Sequence, residues 1–365
     1  MLNVYKHSHF SADAFGHGGN KRTAQVTELL KRSGIAFHEA NFSNSVATRN
    51  KLSPYLTGIG YSRSFSTNSK NKYAIGRYIK LFERFIEINK PELLLWESTS
   101  GYNSLLAEIL HKNNIPVVGL PHNIESLVTG SKSMFSNKES PDWLFEELKY
   151  LAYCENVFTI SREERWLLSN AGIAASYLPY YPTVELEKYL LNIRSEKQRL
   201  NKPLKNKKDI LLLGTFYNKP TFDGYVALLR HIKHQKSFQI NVAGFGSELL
   251  ENMFPGENIR VWGSVSNQTL QELIIRADLG VVHQQASSGF LTRIPEMVLA
   301  GIPLLVNEDA ARSSADIRGV NIYRTFEELS MLLNDKVPEM PPVLQRPVEE
   351  TFFTNFVKAK IDRGA

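Results

Sequence analysis

Two doubly wound α/β domains are the fold this sequence predicts, and three observations predict it. Short, continuously apolar runs alternate with longer amphipathic segments along the chain, the pattern of parallel strands covered on both faces by helices. The chain has 365 residues, long for one hydrophobic core and comfortable for two. A basic, proline-containing stretch around Lys197 to Lys208 divides the alternation into two blocks.

The first block supplies the strand-like runs PELLLW (91–96), IPVVGL (115–120) and NVFTI (156–160). The second supplies DILLLG (209–214), FQINVAG (238–244), NIRVWG (258–263), LGVVH (279–283) and IPLLV (302–306). Between them lie helical patterns such as TAQVTELLKRSG, YNSLLAEILHKNN and NQTLQELIIRADL. After the proline-rich VPEMPPVLQRP, the tail EETFFTNFVKAKI reads as a final amphipathic helix. The expected division is an N-terminal Rossmann-like domain at 1–183, a linker at 184–207 and a C-terminal domain at 208–346. The helix at about 347–365 is expected to pack back on the first domain. No period suggests a solenoid. A ligand is expected in a cleft between the carboxyl ends of the two sets of strands.

Composition narrows the function classes. Hydrophobic residues make up 42%, aromatics 11% and charged residues 22%, which argues against extended disorder. No apolar run approaches the ~20 residues that span a bilayer, and the start MLNVYKHSHF lacks a signal-peptide pattern. The single cysteine, Cys154, excludes an intramolecular disulfide and a cysteine-based zinc cluster. A cytoplasmic location fits most simply. The net charge of +6 favours an anionic partner: nucleotide phosphates, an anionic membrane face or nucleic acid. RSEKQRLNKPLKNKK (194–208) reads as a solvated linker, because a nucleic-acid strip would interleave aromatics and this one has none.

Several motifs carry possible chemistry. FGHGGNKRTAQVTELL sets Gly16, Gly18 and Gly19 before a helix. That is either an anion-cradling turn or a plain strand-to-helix turn, and it is not a Walker loop because Lys21 stands where the second glycine belongs. AGFGSELL (243–250) resembles a truncated dinucleotide fingerprint with Leu249 at the third glycine, and a mid-sheet turn explains it equally. In VVGLPHNIESL, His122 follows an apolar strand where open α/β sheets present working groups, while Asn123 and Glu125 read as a helix cap and first turn. His7 and His9 have the spacing of one strand face but lack a third ligand, and no Asp-x-Asp pair is present, so metal dependence is not expected. GRYIKLFERFIEINK (76–90) faces either a core or an anionic membrane surface.

The segment SSGFLTRIPEMVLAGIPLLVN (287–307) puts two charges, Arg293 and Glu296, into an otherwise apolar helix. Burial demands partners for them. They either pair with each other at i, i+3, or Arg293 neutralises a diphosphate at the helix N-terminus while Glu296 accepts from a vicinal diol. Pro295 is tolerated in the first turn.

Taken together, these pieces resemble the GT-B-fold glycosyltransferases, in particular the retaining "group 1" (family 4-like) transferases. The resemblance runs over nearly the whole chain, through GHGGNKR, PHNIES, FTISREERWLLSNAGI, ILLLGTFYNKPTFDGYVALLRHI, INVAGFG, VWGSVSNQTLQELIIRADLGVVH and SGFLTRIPEMVLAGIPLLV. It implies an acceptor-side N-terminal domain and a nucleotide-sugar donor domain at 208–346. The implied reaction moves a sugar from a nucleotide diphosphate to an acceptor hydroxyl with retained configuration, without metal or other cofactor. The implied roles are ribose contact by Glu296, and backbone contacts to donor sugar and phosphates from Gly289, Phe290 and Thr292. Arg293 and Lys219 would stabilise the leaving diphosphate, and His122 would meet the donor sugar near the reacting carbon. Gly18 and Gly19 would line the pyrophosphate, with Ser264 and Val265 beside the base. Thr215 stands where many members have arginine, and Ser288 where many have a second glutamate eight residues before the first.

The expected partners are a nucleotide-sugar donor and a glycan or lipid-linked acceptor, with possible peripheral contact on the inner membrane face in surface-polysaccharide assembly. Nucleic acid is not expected. Two alternatives stay open: a nucleotide-sugar 2-epimerase of the same fold, and a non-catalytic nucleotide-sugar or nucleic-acid binding module.

Overall fold

The computed structural model describes residues 3–40, 42, 52–61, 68–128, 131–133, 135, 142–200, 207–256 and 258–364. It divides into two units, one of Met1–Asp13, Arg22–Tyr180 and Pro347–Ala365, the other of Ala14–Lys21 and Tyr181–Arg346. Each carries its own six-stranded, wholly parallel sheet. The fold is the two-domain α/β arrangement of the GT-B class.

In the first unit the strands are β1 (Val4–His7), β2 (His38–Glu39), β3 (Leu93–Trp96), β4 (Val117–Gly119), β5 (Asn156–Thr159) and β6 (Ala175–Tyr177). Their order is β2-β1-β3-β4-β5-β6. The helices are α1 (Gly18–Arg32, of which Arg22 onward belongs to this unit), α2 (Leu52–Tyr61), α3 (Ser69–Asn89), α4 (Ser104–Lys112), α5 (Asp142–Leu151), α6 (Arg162–Asn170) and, from the chain end, α13 (Glu349–Gly364). β3 and β5 are buried along their whole length, which is why they read as unbroken apolar runs. One face packs on Ile75, Ile79, Phe82 and Phe85 of α3, so the aromatic side of that helix is turned into the core. The other face takes Val26, Leu29 and Leu30 of α1 and Phe353 and Val357 of α13. Among the described residues no helix is long and apolar enough to cross a membrane.

The second unit holds α7 (Val184–Arg199), β7 (Lys208–Leu213), α8 (Lys219–Ile232), β8 (Phe238–Ala243), β9 (Ile259–Val261), α9 (Asn267–Arg276), β10 (Leu279–Val282), α10 (Arg293–Leu299), β11 (Leu304–Asn307), α11 (Glu308–Ala311), β12 (Val320–Tyr323) and α12 (Phe326–Asn334). Its strand order is β12-β11-β10-β7-β8-β9. Two apolar clusters cover the two faces of this sheet, one built on α7, α9 and α10 and the other on α8 and α12.

The expected linker, 184–207, is a helix for its first sixteen residues, α7, which takes in the first six residues of the basic stretch 194–208, while residues 201–206 lie outside the described ones. Two of its basic residues are buried and structural. Lys197 donates to the carbonyls of Ile274 (3.2 Å), Ile275 (3.4 Å) and Ala277 at the end of α9. Arg194 donates to Val298 O at 3.3 Å and to Pro341 O. An ammonium placed on the last carbonyls of a helix satisfies acceptors that have no partner within the helix.

Candidate functional site

In open parallel sheets, ligands bind beyond the carboxyl ends of the strands where the strand order reverses. The second unit reverses between β7 and β10. At that point lies a cavity of about 420 Å³. It is lined by the ends of β7 and β8 (Leu213, Gly214, Thr215, Ala243, Gly244, Phe245), by Ser264 and Val265 after β9, and by Phe290, Thr292, Arg293 and Glu296. Phe15 to Gly19 and Lys21 line it as well and belong to the same unit. Gly244 has a positive φ of 125°, and a Cβ there would stand 2.0 Å from Gly214 O. The close approach of these two turns therefore requires glycine.

The charges in the cavity have definite partners. Glu296 Oε2 takes the ammonium of Lys21 at 2.6 Å. Arg293 Nη2 donates to Gln284 Oε1 at 3.3 Å, and Thr221 Oγ1 donates to the same oxygen at 2.9 Å. Gln284 is itself pinned, its N–H donating to Asn307 Oδ1 and its carbonyl accepting from Asn307 Nδ2, both at 2.9 Å. The end of β10 is thereby tied to the end of β11, and Arg293 is oriented by a buried amide. Neither member of the expected i, i+3 pair needs the other.

Of the residues expected at a donor site, Gly18, Gly19, Thr215, Ser264, Val265, Phe290, Thr292, Arg293 and Glu296 line this one cavity. Gly289 is not among its walls; it precedes Phe290 with φ of 80° and shapes the turn. Lys219 is not among them either. Its ammonium pairs with Asp223 one helical turn on, at 2.6 Å, and its side chain is 78% exposed. The lysine among the cavity's lining residues is Lys21. α10 spans only seven residues, so Arg293 and Glu296 sit in the first turn of a very short helix.

His122 belongs to the first unit, and its surroundings form a second constellation. That unit's sheet reverses between β1 and β3, and Glu97 directly follows β3. Its side chain has no solvent exposure. Oε1 meets Lys6 Nζ and Ser8 Oγ, each at 3.3 Å. Oε2 accepts from Thr23 Oγ1 at 2.6 Å and lies 3.4 Å from His122 Nε2. Burial pushes the carboxyl up, but the His122 hydrogen bond, the charges of Lys6 and His122 and the Thr23 hydroxyl hold it down at about 2. His122 keeps 13% of its side chain exposed and packs edge-on against Phe10. The buried, ionised carboxylate thus fixes a half-open imidazole, the arrangement by which proteins orient a working histidine.

The turn after His122 is not the helix cap expected. Ile124 occupies the cap position of a single 3-10 turn (Glu125–Leu127) without a side-chain bond. Asn123 Nδ2 donates sideways to Glu125 Oε1 at 2.6 Å. The orphan N–H groups are instead met by distant acids: Ile124 N by Glu164 at 3.0 Å, and Glu125 N and Ser126 N by the two oxygens of Glu147 at 2.9 and 2.8 Å. Burial, then Glu147 and Glu164, push the Glu125 carboxyl up to about 7. His7 lies in β1 and is held down at about 4, mainly by burial, whereas His9 lies past the strand end, so the two do not share a strand face.

Sequence reading passed over Lys21, Gln284 and Glu97. Each had a local signal. Glu97 and Gln284 are polar residues placed at the carboxyl end of an apolar strand run, and Lys21 follows the double glycine by two positions.

No protein-family model matches the chain, and neither does any curated protein. Solved structures do. A UDP-forming α,α-trehalose-phosphate synthase from Burkholderia vietnamiensis aligns with a TM-score of 0.62 at 14% identity, over 99% of this chain and 100% of that one. Sucrose-phosphate synthase from Thermosynechococcus elongatus gives 0.61 at 12%, over 100% and 90%. UDP-GlcNAc 2-epimerase from Methanocaldococcus jannaschii gives 0.52 at 11%, over 98% and 99%. At these identities the likeness shows the fold.

Proposed function

We propose that this chain is a glycosyltransferase that moves a sugar from a nucleoside diphosphate to an acceptor hydroxyl with retained configuration. The observation that carries the reading is the shared cavity, which brings Arg293 and Glu296, the Gly18–Gly19 turn, Thr215 and the Ser264–Val265 wall together from four separate segments. Glu296 holds the ribose diol, the glycine turn and Arg293 meet the diphosphate, and Ser264 and Val265 flank the base.

In the reaction the bond from the anomeric carbon to the β-phosphate oxygen breaks and its electron pair stays on that oxygen. The acceptor oxygen bonds the same carbon, and the acceptor's proton passes to the departing phosphate. Negative charge grows on the leaving group, so a guanidinium fixed through Gln284 stabilises the transition state more than the ground state. To His122, held by Glu97 within the first unit, we assign the role that the resemblance implies, contact with the donor sugar. No metal or other cofactor is assigned to the reaction. The synthases of this fold are named for sucrose phosphate and α,α-trehalose phosphate. For the present chain we assign a glycan or lipid-linked acceptor at the inner membrane face, on the basis of its net positive charge and cytoplasmic type of composition.

The test is a screen of purified protein against nucleoside diphosphate sugars, followed by turnover with Glu296→Ala. We expect transfer or slow donor hydrolysis from at least one donor and a loss of at least about a hundredfold in the variant, the scale of removing a substrate-positioning contact. Full activity of the variant would overturn the assignment.

A 2-epimerase is the second reading, favoured by the Glu97–His122 pair. Against it, Glu97 has no exposure and already serves four partners, which leaves it unavailable to take a proton from a sugar carbon. An epimeric donor formed without acceptor would establish this reading instead. Binding of nucleic acid through residues 194–208 loses its basis at Arg194 and Lys197, which are buried.

A further inference from the structure

Lys21 is a cation the function above does not use, and its placement is specific. It lies in the first turn of α1, lines the same cavity as Arg293 and holds Glu296 at 2.6 Å. The two side chains are largely withdrawn from solvent, with 17% and 11% exposed. Glu296 is therefore not waiting as an open acceptor. Whatever is to bind its Oε2 must compete with an ammonium in a poorly screened setting.

A ligand with only a diol has nothing to offer the displaced ammonium and would leave it desolvated and unpaired. A ligand that carries a diphosphate along with the diol supplies a replacement anion for it. We infer that Lys21 is a donor-binding residue that exchanges partners. Without nucleotide it closes Glu296; with a nucleoside diphosphate bound, its ammonium turns to the phosphate oxygens and releases the Glu296 carboxylate to the ribose. The inference deepens the nucleotide-sugar reading and rests on it. Its consequence is selectivity: the cavity discriminates against nucleosides and in favour of nucleoside diphosphates through one lysine.

The test compares wild type, K21M and K21R by calorimetric titration with UDP, GDP and ADP and with uridine, guanosine and adenosine. The base that the wild type binds defines the pair to compare. In K21M the diphosphate should bind about tenfold more weakly, the loss of one charge-assisted hydrogen bond, while the nucleoside binds about fivefold more tightly because Glu296 is released. K21R should keep the wild-type preference for the diphosphate. Equal weakening of both ligands in K21M would mean that Lys21 merely orients Glu296, and unchanged affinities would make it a bystander; either overturns the inference. Thermal melting of each variant without ligand checks that the unit is folded, and K21R carries the comparison should K21M melt early. No binding of any nucleoside diphosphate by the wild type overturns the nucleotide reading itself, and this inference with it.

Discussion

Replacing Glu97 by glutamine removes a buried negative charge from beneath His122 while leaving the shape of the site nearly unchanged. The ordinary carboxyl value of 4.5 falls to about 2 in the folded protein. A gap of that size corresponds to about 3 kcal/mol of stability at neutral pH, at about 1.4 kcal/mol per unit. The folded value lies below the unfolded one, so the stabilisation is complete above pH 4.5 and drains away as pH falls through 2. Glutamine should therefore cost about 3 kcal/mol at pH 7, with Lys6 left to Glu39 alone at 3.3 Å. The cost should shrink steadily below pH 4.5. Urea unfolding followed by hydrogen exchange at the amides of β1 and β3 reads this unit by itself. His7 titrates in part of the same range and is held up in part by the Glu97 charge, so the comparison is repeated in a His7→Gln background, where the difference belongs to Glu97. Stability curves that run parallel from pH 7 to pH 2.5 would refute the charge argument, even if the variant were weaker throughout.

Glu125 has the opposite sign. Its folded value is raised to about 7, so its contribution is complete below 4.5 and lost as pH rises through 7. Glu125→Gln should raise the urea midpoint at pH 8 and give no gain at pH 4.5; an equal gain at both would point to packing instead of charge. Lys197→Met uncovers the carbonyls of Ile274, Ile275 and Ala277 at the end of α9. It should cost about 2 kcal/mol, seen as lost amide protection in α9, and a neutral result would return this segment to a linker role.

Most strands that sequence reading found are buried on both faces, such as Leu93–Trp96 and Leu279–Val282, the edge strand β9 with its exposed Arg260 being the exception. Continuous apolarity is itself a product of that burial. The strands it missed are short or lie toward sheet edges. β2 is two exposed residues, β6 is half-buried and β12 mixes exposed with buried positions, so none builds an apolar run. Much of the cavity's lining was legible because its residues cluster in glycine-marked turns. Lys219 lies outside the cavity walls for a physical reason: a lysine side chain at the start of a helix reaches about one turn, and the folded chain sets its charge against Asp223.

The sequence by itself determined two α/β blocks, the glycine turns and the pair of charges in the Ser287–Asn307 segment, since each follows from local periodicity or from residue type. Which charge meets which partner was decided by the tertiary structure. Strand order sets which carboxyl ends become neighbours, and that order brings Thr221 to Gln284 and Thr23 to Glu97 across long separations in sequence. Lys21 and Glu296 are 275 residues apart, and no local pattern encodes a contact of that range. A buried ion must find a partner somewhere, but only the folded chain specifies where.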